Sequence, residues 1–244
     1  MTADRPPDGV VRVRAPNPSA LTLDGTNTYV VEGWVVDPGP LDDGHLEAVR
    51  RAAGDRVEGV VVTHSHVDHD EAAGELAERA GGVPVVRPAE GERAGPLEAI
   101  ATPGHSPDHV CLLYGRACFT GDTVLGEGSV FVGSDGASLA AYVRSLERLR
   151  SLDLEVLCPG HGPFVWDPRA KLDEYIAHRV ERERRVLDAL QAGARTREEL
   201  LARAWSDVDL SVSPMLRFAA AATLEAHLGK LRDEGRLPEG PEVE

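Results

Sequence analysis

Short apolar runs alternate with amphipathic segments along the chain up to about residue 166. The runs are rich in valine and leucine and end at glycine, proline or polar residues, which is typical of buried strands. Between residues 43 and 53, Leu46, Val49 and Ala53 instead recur at helical spacing. This alternation predicts a layered α/β fold. The predicted strands are residues 10–13, 28–32, 34–37, 57–63, 83–86, 97–102, 110–114, 116–120 and 154–158, and the predicted helices are residues 43–53, 70–80 and 139–149.

The pattern changes after residue 166, where apolar residues follow a helical period only. We predict a long charged helix over residues 171–192, a second helix that opens at Thr196, and a third over residues 218–231. Residues 235–237 are predicted to begin a β wing. We therefore divide the chain into an α/β domain, residues 1–166, and a small helical module that resembles a winged helix, residues 167–244.

One segment between predicted elements is rich in glycine. Residues 124–137 contain four glycines and the adjacent apolar side chains Val130 and Phe131. The segment follows Asp122 almost directly, so we expect it to form the rim of a functional site, with a plain surface connection as the alternative.

A dense cluster of metal-ligand side chains follows the predicted strand 57–63. His64, His66, Asp68 and His69 lie within six residues. Side chains alternate along a strand, so His64 and His66 leave its end in the same direction. Imidazole nitrogen and carboxylate oxygen are the ligands that Zn²⁺ and related divalent ions take.

Three further candidate ligands each follow a glycine at the end of an apolar run. They are His105, Asp122 and His161. A glycine lets the backbone turn sharply and approach a metal closely. Seven ligands exceed what one tetrahedral ion needs, and they predict a binuclear centre.

The pattern His-x-His-x-Asp-His, followed by Gly-His, Gly-Asp and Gly-His, resembles the metallo-β-lactamase superfamily. The resemblance implies a four-layer αββα sandwich with two metal ions at the edge between the sheets. It implies that His64, His66 and His105 hold the first ion, that Asp68, His69 and His161 hold the second, and that Asp122 bridges the two. Asp37, in Asp37-Pro38-Gly39, is similar to an aspartate that orients metal ligands from behind, with a plain turn as the alternative.

Two neighbouring divalent ions can lower the pKa of a shared water to about 7 and polarise a carbonyl or phosphoryl oxygen. We therefore expect a hydrolase that uses a metal-bridging hydroxide and two divalent ions, Zn²⁺ first, with Mn²⁺ or Fe²⁺ as the alternatives. Asp68 is expected to act as a catalytic residue that orients the nucleophile, as a ligand, or as both.

The segments around the later ligands, together with His178-Arg179, resemble the lactamase-beta-two-like branch of the superfamily. That branch implies phosphodiester cleavage of the endoribonuclease type. The alternative is thioester hydrolysis, as in glyoxalase II or acyl-thioesterases, although this chain has Gly162-Pro163 where glyoxalase II typically has Glu-Tyr.

Composition limits the classes of substrate and partner that we expect. The formal net charge of the 244 residues is −15, which does not favour tight binding to nucleic-acid phosphates, and we do not expect sequence-specific DNA binding. No apolar run approaches the length of about 18 residues that indicates a membrane span. The three cysteines lie in apolar segments, and the N-terminus lacks an apolar leader core. We expect a cytoplasmic protein with a small-molecule or single-stranded RNA substrate and no membrane partner, and the resemblance allows a homodimer.

Four histidines remain outside the ligand set. We expect His45 and His227 on helix surfaces. His109 is expected to make a structural hydrogen bond, with a contact behind the metal ligands as the alternative. His178 is expected on the long C-terminal helix, with a contact to the metal site as the alternative.

Overall fold

Two five-stranded sheets form the centre of the protein in the computed structural model, which describes residues 5–54, 56–133 and 138–237. The first sheet has the order β1 Val10–Arg14, β2 Asn27–Val31, β3 Trp34–Val36, β4 Gly59–Val61 and β5 Val85–Val86. The second has the order β10 Val156–Pro159, β9 Ala117–Gly121, β8 Val110–Tyr114, β7 Leu97–Ala101 and β6 Arg93–Ala94. In each sheet, antiparallel hairpins are joined to parallel strands: β3, β4 and β5 in the first, β9 and β10 in the second.

The sheets pack face to face over one apolar core. Val31, Val36 and Val61 from the first sheet meet Leu112 and Phe119 from the second. The ring of Tyr29 stands edge-on to that of Phe119, with 5.1 Å between centroids. Burial of these inward faces on both sheets fixes their stacking.

Helices cover both outer faces. Helices α1 Asp43–Ala52 and α3 Ala73–Arg79 pack on the first sheet through a cluster that includes Leu46 and Leu76. Helix α4 Leu139–Arg150 packs on the second sheet through Leu146 and Leu149. The predicted four-layer αββα fold is thus confirmed.

The C-terminal residues form three helices. They are α5 Pro168–Gln191, α6 Arg197–Ala204 and α7 Pro214–Asp233. The first half of α5 joins the core beside α4 through Leu172 and Tyr175. Its second half packs with α6 and α7 around a separate cluster. Helix α5 therefore ties the C-terminal helices to the second sheet.

Several predicted bounds shift for local reasons. The predicted helix 70–80 is split into a single turn, α2 Val67–Asp70, and α3. Helices α5 and α7 begin earlier than predicted, at Pro168 and Pro214, because proline is well suited to the first turn of a helix. Residues 235–237 form no strand, and the remainder of the predicted wing lies outside the described residues.

The expectation that His45 and His227 lie on helix surfaces is wrong. Their exposed fractions are 3% and 0%. His45 Nε2 lies 2.9 Å from the hydroxyl of Thr28, whereas both ring nitrogens of His227 are buried with no hydrogen-bond partner among the described residues. Among those residues, no helix combines the length and apolar character needed to cross a membrane.

Candidate metal centre

The seven predicted ligands converge at one edge of the sandwich, where four strands end. His64 follows β4, His105 follows β7, Asp122 follows β9, and His161 follows β10. Ligands so far apart in sequence meet because the two stacked sheets bring their strand ends to the same edge. The cluster divides into two groups, His64, His66, His105 and Asp122 on one side and Asp68, His69 and His161 on the other.

Three imidazole nitrogens meet in the first group. His66 Nδ1 lies 3.0 Å from His64 Nε2 and 3.0 Å from His105 Nε2. Lone pairs on three ring nitrogens that face one point repel each other unless a proton or a metal cation lies between them. In a tetrahedral zinc site with bonds of about 2.0–2.1 Å, ligand atoms lie about 3.3 Å apart, so these spacings fit a metal ion.

The candidate ligand atoms of the second group lie at similar distances from one another. His161 Nε2 lies 3.2 Å from Asp68 Oδ2 and 3.3 Å from His69 Nε2. His69 Nε2 lies 3.5 Å from Asp68 Oδ2. Two nitrogens and one oxygen at these distances form a second set of ligands of the kind that divalent metals take.

Asp122 stands between the groups. Its Oδ1 lies 3.3 Å from His161 Nε2 and 3.5 Å from His69 Nε2, and its Oδ2 lies 3.6 Å from His105 Nε2. Oδ1 is buried and has no hydrogen-bond partner by geometry among the described residues. Asp122 thus presents one oxygen to each group, and its Oδ1 is free to bind a cation. A carboxylate that would bridge two cations requires this arrangement.

The second ring nitrogen of four histidines is held by the protein. The bonds run from His69 Nδ1 to Asp37 Oδ2 at 2.8 Å, His105 Nδ1 to the Phe131 carbonyl at 2.9 Å, His64 Nδ1 to Thr63 Oγ1 at 3.0 Å and His161 Nδ1 to the Gly25 carbonyl at 3.5 Å. Such bonds fix the tautomer and the ring orientation of metal-ligating histidines.

Asp37 organises the start of the ligand cluster. Its carboxylate is buried and accepts hydrogen bonds from the Thr63 amide, the Thr63 hydroxyl and His69 Nδ1, each 2.8 Å long. Its backbone has φ of +49°, a strained conformation for a residue with a side chain. The structure thus places the carboxylate behind His69, where the sequence predicted it.

Two positioning residues were missed or left open by the sequence. His109 Nε2 accepts a hydrogen bond of 3.1 Å from the Asp122 amide and so fixes the turn that carries this ligand. The Asn27 amide donates to the carbonyls of Pro159 and Gly162, at 2.9 and 2.8 Å, on either side of His161. Nothing in the sequence around Asn27 signals this role, because both partners lie over 130 positions away. His178 is exposed on α5 and belongs to neither ligand group.

The glycine before His161 is required by close packing. A Cβ at Gly160 would lie 2.7 Å from His69 Cε1 and 2.8 Å from Asp122 Oδ1. A side chain here would force apart ligands of the two groups.

The charges of the cluster are mutually dependent. Burial raises the pKa of Asp122, but His161 and His69 outweigh it and hold that pKa well below its usual value. Burial lowers the pKa of His161, whereas Asp122 and Asp68 raise it, to about 9. Burial and the neighbouring His69 hold the pKa of His64 well below its usual value. A cation that binds in the second group must therefore displace protons.

Exposed or half-buried apolar side chains lie in the segments that carry or contact the candidate ligands. Val67, between two ligands, is 67% exposed, and Leu21 is 52% exposed. Leu21 lies in the segment that ends at Gly25, whose carbonyl faces His161. Phe131 is half-buried, and its carbonyl holds His105. The segment predicted as a rim thus contacts a ligand through the backbone of Phe131; its residues 134–137 lie outside the described residues.

Comparison with known proteins agrees with this geometry. The family model of the metallo-beta-lactamase superfamily matches residues 21–99 and 89–161. The beta-lactamase-like protein 2 homolog of Caenorhabditis elegans is 30% identical, over 97% of this chain and 88% of that protein. Atrochrysone carboxyl ACP thioesterase of Aspergillus fumigatus is 33% identical, over 75% of this chain and 65% of that protein. A metallo-beta-lactamase family protein from Thermus thermophilus shares the fold, with a TM-score of 0.76 at 24% identity, over 96% of this chain and 97% of that one.

Proposed function

The chain belongs to the metallo-β-lactamase superfamily and is a metal-dependent hydrolase, and we propose that its substrate is a thioester. The observation that carries this choice is the presence of apolar side chains next to the candidate ligands: Val67 is 67% exposed between His66 and Asp68, and the half-buried Phe131 meets His105 through its carbonyl. An acyl group is apolar and fits such surroundings, whereas a phosphodiester backbone calls for cationic side chains.

The ligand set supports a binuclear centre. His64, His66 and His105 would hold one ion, Asp68, His69 and His161 the other, and Asp122 both. Two divalent ions there would supply Lewis-acid activation of water and of the substrate carbonyl. The donor set of imidazoles and carboxylates suits Zn²⁺, Mn²⁺ and Fe²⁺, and we propose Zn²⁺ as the first of these.

Asp68 is the carboxylate best placed to orient a water molecule. Burial raises its pKa, but the hydrogen bond from His161 prevails and lowers it below the usual value, so the carboxylate stays ionised at neutral pH. Its side chain is 30% exposed, the most accessible of the ligand carboxylates. In thioester hydrolysis, the oxygen of water forms a bond to the acyl carbon, the carbon–sulfur bond breaks, and a carboxylate and a thiol leave. Asp68, as an ionised carboxylate, would orient that water by accepting a hydrogen bond from it.

The fungal relative supports this substrate class, because its name assigns it the hydrolysis of an acyl thioester on a carrier protein. Phosphodiester cleavage, the first expectation from the sequence, stays a prediction. The same ligands would serve it, but the net charge of −15 disfavours a polyanionic substrate.

A paired assay tests the proposal. The metal-loaded protein would be offered acyl thioesters of N-acetylcysteamine and, separately, single-stranded RNA, with His66→Ala as the control that removes one ligand. We expect release of free thiol by the wild type and loss of at least a hundredfold in His66→Ala. Cleavage of RNA, lost in the same variant, with thioesters left intact would overturn the proposal.

A further inference from the structure

The N-terminal part of α7 presents apolar side chains to solvent close to the metal cluster. Phe218 is 61% exposed, and its ring centroid lies 6.0 Å from that of Phe131, with 33° between the ring planes. Met215 and Leu216, on the same turn of helix, are 42% and 40% exposed. Exposed apolar side chains that occur together, rather than singly, mark sites of interaction.

This apolar surface is continuous with the metal site. Phe131 contacts Phe218 with its ring and accepts a hydrogen bond from His105 Nδ1 with its carbonyl, at 2.9 Å. Phe131 therefore links the ring of Phe218 directly to His105, a candidate ligand of the first group. Because Nδ1 is on the opposite side of the His105 ring from Nε2, which faces the cluster, the two rings flank the site behind His105. A long acyl chain would have to extend past this histidine to contact them.

The C-terminal helices keep the two rings together. Arg179 on α5 is buried, and its Nη2 donates to the Val130 carbonyl at 2.6 Å and to Ser129 Oγ at 3.0 Å. On the other side of Phe131, Gly133 packs so closely on α7 that a Cβ there would lie 2.5 Å from the Ala222 carbonyl. The segment that carries Phe131 is thus fixed to both helices.

We infer that Phe131 and Phe218 form an acyl-binding wall of the active site, which favours thioesters with a long aliphatic or aromatic acyl group over acetyl thioesters. The inference rests on the proposed function and gives the C-terminal helices a part in substrate selection. The occupant is the acyl group rather than the thiol part, because the wall is apolar and lies against His105, one of the residues that would hold a metal ion.

Chain-length preference tests the wall. The values of kcat/KM would be measured for acetyl and decanoyl thioesters of N-acetylcysteamine with the wild type, Phe218→Ala and Phe218→Leu. Val180→Ala is the matched control, because Val180 on α5 has the same exposed fraction, 61%. A few methylenes in an apolar site change kcat/KM by about tenfold or more. We expect the ratio of decanoyl to acetyl activity to fall about tenfold in Phe218→Ala, to be largely kept in Phe218→Leu, and to be unchanged in Val180→Ala.

Other results would overturn the inference. An active wild type with no chain-length preference, or a ratio that Phe218→Ala leaves unchanged, would contradict the wall while the thioesterase proposal stood. A wild-type dimer that Phe218→Ala converts into monomers, with the ratio unchanged, would show that a second copy of the chain covers this surface. Failure of the wild type to cleave either thioester would overturn the proposed function, and the inference with it.

Discussion

Residues that do not themselves bind metal orient the candidate ligands through hydrogen bonds. Asp37 accepts three hydrogen bonds with two oxygens, one of them from a ligand histidine. An asparagine side chain at this position would keep only one acceptor oxygen. Its amide nitrogen would point two N–H protons at groups that themselves donate hydrogen bonds. The orientation of His69 therefore depends on the charge and acceptor capacity of a side chain that itself binds no metal.

We predict that Asp37→Asn weakens binding of the second metal ion by roughly 10–100-fold, the usual effect of losing a partner behind a ligand. Competition titration with a chelating dye measures both metal affinities. Asp153→Asn, which removes an exposed carboxylate that pairs with Arg116, is the control and should bind both ions normally. Equal affinities in wild type and Asp37→Asn would show that Asp37 is only a turn-former.

His227 gives the protein a pH-dependent stability. Burial, and next Arg179 and Lys230, lower its pKa to about 3. Because the folded pKa lies below the unfolded value of about 6.5, the unfolded chain binds a proton that the folded chain does not. The contribution to stability is therefore present above about pH 6.5 and is lost as the pH falls from there toward the folded pKa.

The variant His227→Leu should remove this dependence. At about pH 7.5 its free energy of unfolding should equal or exceed that of the wild type, because two unpaired ring nitrogens are no longer buried. Between about pH 6.5 and 4.5 the wild type should lose about 1.4 kcal/mol more per pH unit than the variant. Urea unfolding of both proteins across this range measures the difference, and parallel curves would show that His227 does not cause the pH dependence.

The sequence points to the candidate ligands more clearly than to the residues that support them. His64 to His69 and the three Gly-flanked ligands stand out because few residue types bind divalent metals. Asn27 and His227 do not stand out, since an asparagine that bridges two distant carbonyls and a histidine in an apolar helix look ordinary in sequence. Their surroundings come from tertiary packing alone.

At the scale of elements, α5 links the C-terminal helices to the metal site. Arg179 joins it to the segment before Phe131, and the hydroxyl of Tyr175 accepts a hydrogen bond of 3.1 Å from the Leu125 amide. Helix α4 adds Tyr142, whose hydroxyl donates to the Thr123 carbonyl at 2.7 Å. The stretch from Asp122 to Phe131 is thus held by two helices on the outer face of the second sheet.

Arg179→Met should disturb this connection. It removes two hydrogen bonds from a buried guanidinium, and bonds from charged groups contribute about 1.5–3 kcal/mol each. We expect the free energy of unfolding to fall by about 3 kcal/mol or more and a metal held by His105 to bind more weakly. Urea unfolding and metal titration measure the two effects. Arg184→Met, on the exposed side of the same helix, is the control. A loss of stability with both metal affinities unchanged would limit Arg179 to a structural role.

Elements with a clear period were predicted to within a few residues, as for α4 and β8. The two-residue strand β6 was not predicted, because so short a segment has no period to detect. The break between α2 and α3 was also missed, since the ligand turn and the helix after it share one amphipathic pattern.

At the scale of the whole molecule, two sheets that are separate in sequence build one site between them. The first sheet contributes the cluster His64 to His69, and the second contributes His105, Asp122 and His161. Periodicity predicted the α/β layers, and the seven candidate ligands predicted that their strand ends would meet in a binuclear centre. The family resemblance supplied the division of these ligands between two ions. The net charge of −15 and the apolar side chains next to the candidate ligands support the proposed neutral acyl substrate.

The central claim is that these seven side chains hold two metal ions on which hydrolysis depends. The most direct measurement is the metal content of the purified wild-type protein by elemental mass spectrometry, with thiol release from an acyl thioester followed on the same samples during removal and return of metal. We expect two ions per chain and activity that returns in full only with the second ion. Full activity with one ion per chain, or with none, would contradict this expectation.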